Sequence, residues 1–488
     1  MARNLTLLTD LYQITMAQGY WQQGQLDTQA CFYMFFRNNP FDGGYAVSCG
    51  MDQIVELVEG FGFTPDDIEY LKSLPAPDGT SLFNCEFLDW LQGLKLTVDI
   101  DVVPDGTVVF PREPLVRVMG PLMQCQLLET CILNGMNFQT LIATKAARVA
   151  YAAKGRAVSE FGLRRAQGPD GGMSGDRAAY IGGCANVANV LAGQKYGIPV
   201  SGTIAHSWVM SFPDELTAFR AWVDTMPNNS TLLVDTYDVE QGVKNAITVG
   251  LEMKARGQKL NGIRIDSGDL AWLSAKARKM LDDAGLTDTI IVLSNDLDEY
   301  LVESLIDQGA QFNALGIGTH LITGKPQPAL GGVYKLSAVR EPGQEEWLPK
   351  VKLSEATVKL TIPGVLDTMR YIDENGKFMG DVVYDINMGC PDGCVAVDPL
   401  DDTHRKRHKA GMRRESLLKP LIANGKAVDG IDLSVATAKA RCQEQVNSID
   451  PSTKRFLNPH AYPAGIEKGL FNLRTKMIQD IRGDSELY

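Results

Sequence analysis

Apolar and polar positions along this chain change period more than once, and the clearest pattern lies between about residue 155 and residue 320. There, short runs rich in β-branched residues recur. Each stops abruptly in a polar cluster, with a helix-length segment before the next run. Six such pairs are present. Arg156-Ala157-Val158-Ser159-Glu160 leads into Phe161-Gly162-Leu163-Arg164-Arg165, Ile198-Pro199-Val200-Ser201 into Gly202-Thr203-Ile204-Ala205-His206-Ser207, and Leu232-Leu233-Val234 into Asp235-Thr236-Tyr237-Asp238. Gly262-Ile263-Arg264-Ile265 leads into Asp266-Ser267-Gly268-Asp269, Thr289-Ile290-Ile291-Val292-Leu293 into Ser294-Asn295-Asp296, and Ala314-Leu315-Gly316-Ile317 into Gly318-Thr319. This rhythm predicts an α/β fold with parallel strands. A parallel barrel gathers the carboxyl ends of its strands on one face, so six clusters spread over roughly 150 residues converge on one site.

Outside this stretch the pattern differs. Helical spacing over Asp10 to Gln22 (Leu11, Ile14, Thr15, Gln18) has Asp10 as its N-cap, a strand follows at 29–36, and helices are expected near 48–60 and 81–93. Pro121 opens a helical stretch to about Lys154. The helices between the later runs are expected near 174–192, 213–225, 239–256, 269–284 and 297–308. After Thr319 the rhythm stops, Gly331-Gly332-Val333-Tyr334-Lys335-Leu336 reads as a turn into a strand, and two β-rich runs with a charged tail finish the chain. The expected organisation is an N-terminal α+β domain over 1–120, an α/β barrel with the active site over 121–340, and a C-terminal segment over 341–488 packing on both.

Composition narrows the class. At 488 residues, 44% apolar and 22% charged, the chain is globular and long enough for two or three domains. A net charge of −12 argues against a general nucleic-acid binder. No stretch of about 18 uninterrupted apolar residues occurs, and Met1-Ala2-Arg3-Asn4-Leu5-Thr6 lacks the apolar core of a signal peptide, so a cytoplasmic protein without membrane association is expected. Nine irregularly spaced cysteines do not make a disulfide framework. Cys390-Pro391-Asp392-Gly393-Cys394 has no companion ligand pair and reads as a turn holding two thiols, with metal binding as the alternative.

The strand-end clusters suit a phosphorylated small molecule. Asp266-Ser267-Gly268-Asp269 offers capping groups and a glycine at a helix start, where free N–H groups meet anions or a ribose. Arg164 and Arg165 offer bidentate forks for phosphate or carboxylate, and Gly318 and Gly331-Gly332 permit close backbone approach. His206, one of five histidines, suits a base, a metal ligand or a nucleophile, and composition does not choose among them. Asp235, Asp238, Asp266 and Asp269 suit Mg²⁺ held through carboxylate and water, or helix caps.

These residues, with Thr9-Asp10-Leu11-Tyr12-Gln13-Ile14-Thr15-Met16, Arg37-Asn38-Asn39-Pro40, Leu330-Gly331-Gly332-Val333-Tyr334-Lys335-Leu336 and Asn458-Pro459-His460-Ala461-Tyr462-Pro463, resemble the nicotinate phosphoribosyltransferase family over nearly the whole chain. The resemblance implies the type II phosphoribosyltransferase fold, an irregular TIM-like α/β barrel with an N-terminal α+β domain and a C-terminal extension. It implies ATP-assisted transfer of phosphoribosyl from 5-phosphoribosyl-1-pyrophosphate to nicotinate, giving nicotinate mononucleotide and pyrophosphate in NAD salvage. Mg²⁺ and the co-substrate ATP are implied, as is a homodimer with shared active sites. By the same resemblance His206 is the histidine phosphorylated by ATP, acting with Asp266 and Arg264 in catalysis. Tyr12 and Thr203 hold nicotinate, Phe161 contacts substrate, Arg264 meets the nicotinate carboxylate, and Arg164 lies between base and phosphate. Ser267 and Gly268 hold substrate, Thr319, Gly331 and Gly332 surround the ribose 5-phosphate, and Asp235 and Asp269 are the candidate metal ligands. The sequence departs from many relatives at Gly182-Gly183-Cys184-Ala185-Asn186, a candidate pocket wall. Two rivals remain: transfer to nicotinamide or quinolinate, and a catalytically silent barrel that senses a metabolite.

Overall fold

The computed structural model describes residues 4–354 and 360–483. Met1, Ala2 and Arg3, read above for the absence of a leader, lie outside them. The chain divides into two compact units, one of residues 142–328 and one joining the segments up to Leu141 and from Ala329. The expected 121–340 segment therefore exceeds the smaller unit by about twenty residues at its start and twelve at its end, while 1–120 and 341–488 both fall in the larger unit.

In the smaller unit six strands form one sheet with every neighbouring pair parallel: Asn186–Val187, Ala157–Glu160, Ala314–Ile317, Ile290–Asn295, Gly262–Ile265 and Thr231–Leu233, in that spatial order. The run expected at 198–201 shrinks to a single parallel bridge from Val200 to Val187 beyond the sheet edge. Where Val200 and the Thr231–Leu233 strand approach ring closure, no ladder joins them among the described residues. Asn229 Nδ2 instead donates to Gly202 O at 3.4 Å, which is where the barrel is irregular.

The helices Glu215–Thr225, Val239–Ala255, Leu270–Asp283 and Glu299–Asp307 lie where the spacing put them. The helix expected over 174–192 is corrected. It is two helices, Gly168–Gly182 and Val190–Tyr196, with the unforeseen strand Asn186–Val187 between them. Gly183 stops the first at φ +130°, a conformation that side-chain-bearing residues avoid, and the Ala185 N–H then pairs with Val158 O at 2.7 Å to begin the sheet. Apolar spacing alone runs straight across this break.

Residue alternation along each strand separates two environments. Val158, Ile263, Ile265, Ile291, Leu293, Leu315 and Ile317 are buried at 2% exposure or less. The other register brings Ser159, Gly316 and Ser294 side by side near the carboxyl ends. These are small residues, and they leave a hollow there. Gly316 is required by close approach, since a Cβ at that position would lie 2.6 Å from the Phe161 ring. Gly242 serves the next layer: a Cβ there would strike Val234 O at 2.0 Å, so the Val239–Ala255 helix seats directly on the chain leading to Asp235.

The larger unit is built on two large sheets, with a two-stranded pair of Ala46–Val47 and Val108–Val109 beside them. An inner strand of the first, Gln29–Phe36, is an almost continuous apolar run paired antiparallel on both sides, with Gly332–Arg340 and Val116–Pro121. Burial on both faces explains why it lacks alternation. Its N-terminal helix is Leu11–Gln22. Asp10 occupies the N-cap position but its side chain does not cap; Asp10 Oδ2 instead accepts the Thr130 hydroxyl at 2.8 Å. The second sheet combines Arg405–Arg407, Val395–Val397, Ala464–Glu467, Phe378–Asp385, Leu366–Ile372 and Arg413–Ser416. Helices Pro65–Ser73, Val435–Ser448 and Lys468–Arg482 in this unit were not foreseen.

Candidate active site

A cavity of about 470 Å³ opens at the carboxyl ends of the parallel strands, lined by Phe161, Arg164, Ala188, Thr203, His206, Arg264 and Asp266 among others. Five of the six clusters named from the sequence supply either this lining or its immediate hydrogen-bond partners. Another hollow of about 440 Å³, in the larger unit, is lined by residues of none of these clusters.

Arg264 organises the site. It stands on the Gly262–Ile265 strand between the buried Ile263 and Ile265, and its guanidinium is 5.9 Å from the Phe161 ring centroid. Nε donates to Ser294 Oγ at 2.7 Å, Nη1 to Thr203 Oγ1 at 3.1 Å and Nη2 to Asp266 Oδ1 at 2.9 Å. Three of its five N–H donors are thus spent, leaving one on each Nη, the end-on pair that matches two carboxylate oxygens. The Ser294 hydroxyl also donates to Asp266 Oδ1, closing a three-residue ring.

Burial pushes the Asp266 carboxyl up, but the Ser294 hydrogen bond, the Arg264 charge and the nearby His206 outweigh it and hold it below the ordinary range. The other Asp266 oxygen lies 3.9 Å from His206 Nε2, and His206 Nδ1 is 3.2 Å from Thr236 Oγ1. His206 opens the short helix His206–Met210, and its side chain is 42% exposed, so the ring is both held and reachable.

The four aspartates divide by role. Asp238 and Asp269 cap helices, accepting Gln241 N at 2.8 Å and Trp272 N at 3.0 Å. Asp235 instead gathers the neighbouring loop: its Oδ2 accepts Asp266 N at 3.0 Å and the Ser267 hydroxyl at 2.6 Å. Its Oδ1 is buried with no hydrogen-bond partner. Gly268 bends the loop at φ +82°. No group of three His, Cys, Asp or Glu side chains positioned to hold a metal exists among the described residues. Asp235 and Asp269 are therefore not a ready-made metal cage. The unpartnered Asp235 Oδ1 fits a hard cation, whereas the capping carboxylate of Asp269 is already engaged.

Beneath Phe161 lies a pair that sequence reasoning missed. Glu160 is fully buried, and its Oε1 accepts Gly162 N at 2.5 Å, fixing the turn that carries Phe161 and Arg164. On the Gly168–Gly182 helix Asp176, also fully buried, touches Glu160 and accepts Asn189 Nδ2 at 2.7 Å. Burial pushes both carboxyls up, Glu160 well above its ordinary value, which favours a proton shared within the pair. Asn189 Oδ1 in turn caps the Val190–Tyr196 helix, next to the cavity-lining Ala188.

Thr319 opens a short helix at the same strand-end level but does not line the cavity; Gly318 packs against Phe161 and Gly162. Gly182 to Asn186 contributes nothing to the lining either. It forms the helix stop and strand entry, a correction to its expected place in the pocket wall. Tyr12, Gly331 and Gly332 belong to the larger unit. Tyr12 is 48% exposed on its helix, and burial and the Glu129 charge raise its hydroxyl pKa. Gly331 turns at φ +77°, and Gly332 N donates to Asn137 Oδ1 at 2.9 Å. Ser294 and Thr236 stood in quoted clusters without a role, because a single hydroxyl in a polar cluster does not announce its partner.

Family models match almost end to end. Residues 7–137 match the nicotinate phosphoribosyltransferase N-terminal domain, 157–346 the nicotinate phosphoribosyltransferase family and 367–474 its C-terminal domain. The nicotinate phosphoribosyltransferase of Bacillus subtilis is 38% identical, with 99% of this chain and 97% of that protein covered. That of Homo sapiens is 32% identical, with 95% of each covered. The crystal structure of human nicotinic acid phosphoribosyltransferase superposes with a TM-score of 0.82 at 31% identity, covering 96% of this chain and 100% of the human one.

Proposed function

The chain belongs to the nicotinate phosphoribosyltransferase family, and from that premise we propose that the strand-end cavity joins nicotinate to 5-phosphoribosyl-1-pyrophosphate, forming nicotinate mononucleotide and pyrophosphate for NAD biosynthesis. The observation that carries the reading is the Arg264 guanidinium, held on three sides and left with one N–H on each Nη beside the cavity. A pyridine carboxylate suits that end-on pair, and the Phe161 ring beside it suits the flat pyridine.

In the reaction the pyridine nitrogen attacks C1 of the ribose as the C1–O bond to pyrophosphate breaks. Positive charge develops on the ribose and negative charge on the leaving group. Asp266, kept ionised by Ser294 and Arg264, is a preorganised anion for the first, while Arg164 offers charge to the second. Mg²⁺ accompanying the pyrophosphate would be held by Asp235 Oδ1 and would supply further charge neutralisation. Arg264, Thr203 and Phe161 orient the ring, so the effect is positioning rather than covalent catalysis of the displacement.

ATP assistance is assigned to His206. The γ-phosphoryl group passes to a ring nitrogen with release of ADP, and hydrolysis later returns inorganic phosphate, biasing the site toward its substrate-binding state. The chain is proposed to work in the cytoplasm as a homodimer whose sites each take Tyr12 from a second copy. Supporting this is the exposed apolar group Leu8, Leu11, Tyr12 and Met16 at the N-terminal helix. The test of the activity is pyrophosphate release with nicotinate, nicotinamide and quinolinate, each with and without ATP. Turnover of nicotinate above the other two is expected, and equal turnover of acid and amide would overturn the substrate assignment.

A further inference from the structure

The Cys390-Pro391-Asp392-Gly393-Cys394 turn, which the transferase reaction does not use, joins the Phe378–Asp385 strand to Val395–Val397. In the structure the Tyr371 hydroxyl bridges its two thiols, 3.7 Å from Cys390 Sγ and 3.2 Å from Cys394 Sγ. Tyr371 is fully buried and stacked on His408 at 4.1 Å between centroids, so this bridge stands on a rigid floor. From above, Arg414 Nη1 grips the turn through Cys390 O at 3.0 Å and Pro391 O at 3.2 Å. Cys394 is buried, Cys390 is half-buried, and Pro391, Asp392 and Gly393 are exposed. The two thiols therefore lie on one bridging hydroxyl directly beneath an exposed turn.

We propose that Cys390 and Cys394 are an oxidative modification site, a dithiol that hydrogen peroxide converts reversibly into an intramolecular disulfide. The adjacent Cys390 thiol and the Tyr371 hydroxyl bring the Cys394 thiol down to about 7 against the opposing effect of burial, which favours a thiolate near neutral pH. That thiolate attacks one peroxide oxygen. The O–O bond breaks, and the departing hydroxide takes the Cys390 proton and leaves as water, giving Cys394 sulfenic acid and a Cys390 thiolate. The Cys390 sulfur then attacks the Cys394 sulfur, the S–O bond breaks, and the second hydroxide takes a solvent proton. Two electrons have passed from the sulfurs to peroxide, and one disulfide and two waters result. A dithiol reductant reverses the step.

The experiment exposes the full-length protein to graded hydrogen peroxide, blocks the remaining thiols with iodoacetamide after denaturation, and maps the tryptic peptide carrying both cysteines. The expected product is that peptide unalkylated and lighter by two hydrogens, restored by dithiothreitol, and formed about tenfold faster than oxidation of the exposed, isolated Cys85. Cys390→Ser should stop at a sulfenic acid on Cys394 that dimedone traps, and Cys394→Ser should abolish the rapid reaction. Both cysteines staying alkylatable at the peroxide dose that oxidises Cys85 would overturn the proposal. Stoichiometric zinc in the purified protein, lost on Cys394→Ser, would also overturn it by making the pair a metal site.

Discussion

Replacing Arg264 by alanine tests the substrate assignment. In the wild type the two remaining Nη N–H groups can each meet one oxygen of nicotinate, giving two charge-assisted hydrogen bonds of roughly 1.5–3 kcal/mol apiece. Nicotinamide offers one oxygen, and its NH₂ group faces the second donor unproductively, so it keeps about half of that interaction. Wild-type preference for acid over amide should therefore be about 10- to 100-fold in kcat/KM. In Arg264→Ala both substrates lose what the guanidinium supplied. Both also suffer from Asp266 and Ser294 losing their partner, a penalty common to the two. The ratio cancels the common penalty. Nicotinate should fall by about 10²- to 10⁴-fold and nicotinamide by about 10- to 100-fold, so the acid-to-amide ratio collapses to near one. It should drop below one if the uncompensated Asp266 carboxylate repels nicotinate. The assay is initial-rate pyrophosphate release with each substrate, alongside thermal denaturation to establish folding. An equal fall for both substrates, with the wild-type ratio preserved, would refute the reasoning and make Arg264 a structural or phosphate-binding residue.

Three further outcomes are expected. His206→Ala should abolish stimulation by ATP and leave slow, uncoupled synthesis, with the acid-labile, alkali-stable label from γ-labelled ATP gone; label persisting in the variant would put the phosphoryl group elsewhere. Glu160→Gln keeps an oxygen for Gly162 N–H and supplies a permanent N–H toward Asp176. The buried acid has a folded-state pKa above its ordinary value of about 4.3, so its contribution to stability is complete below that value and is lost as pH rises through the folded pKa. Removing that loss should shift the variant's Tm relative to wild type upward between pH 5 and pH 8, by about 2 °C for each kcal/mol; a pH-independent difference would show that Glu160 carries no such proton. Mixing Tyr12→Ala with Arg264→Ala after mild dissociation should restore activity, because a dimer that shares its sites then holds one site free of both lesions; no recovery despite proven subunit exchange would place Tyr12 outside a shared site.

The strand-end clusters were legible because parallel strands buried on one side by helices must be β-branched and apolar, and must give way to polar residues where the chain re-emerges. The same logic hid what lies on the helix side. Glu160 sits beside Ile317 in register and faces the layer of Asp176, yet in sequence a carboxylate at a strand end looks like the start of solvent-facing loop. The break at Gly183 was hidden for a different reason: helical spacing resumes on both sides of it, and only the positive φ shows that the two stretches are separate. Ser294 was visible as a position but not as a hinge between Arg264 and Asp266. That role depends on the parallel register pairing Val292 with Arg264, which only the folded sheet provides.

The aspartates show how position relative to a strand separates chemistry from scaffolding. Two clusters share the same spacing, Asp235-Thr236-Tyr237-Asp238 and Asp266-Ser267-Gly268-Asp269, and sequence alone left all four open to either role. In both, the second aspartate lies directly before a helix, where three free N–H groups await an acceptor, and it caps. In both, the first aspartate comes just beyond the strand, where no helix N–H is within reach. Its carboxylate must find a partner across the barrel mouth: Asp235 takes the backbone and hydroxyl of the neighbouring loop, and Asp266 takes Arg264 and Ser294. A three-residue offset therefore assigns one carboxylate to the helix and frees the other for the cavity. Asp235, with one oxygen engaged and one buried without a partner, and Asp266, held ionised beside His206, are consequently the two carboxylates still able to respond to a charged substrate.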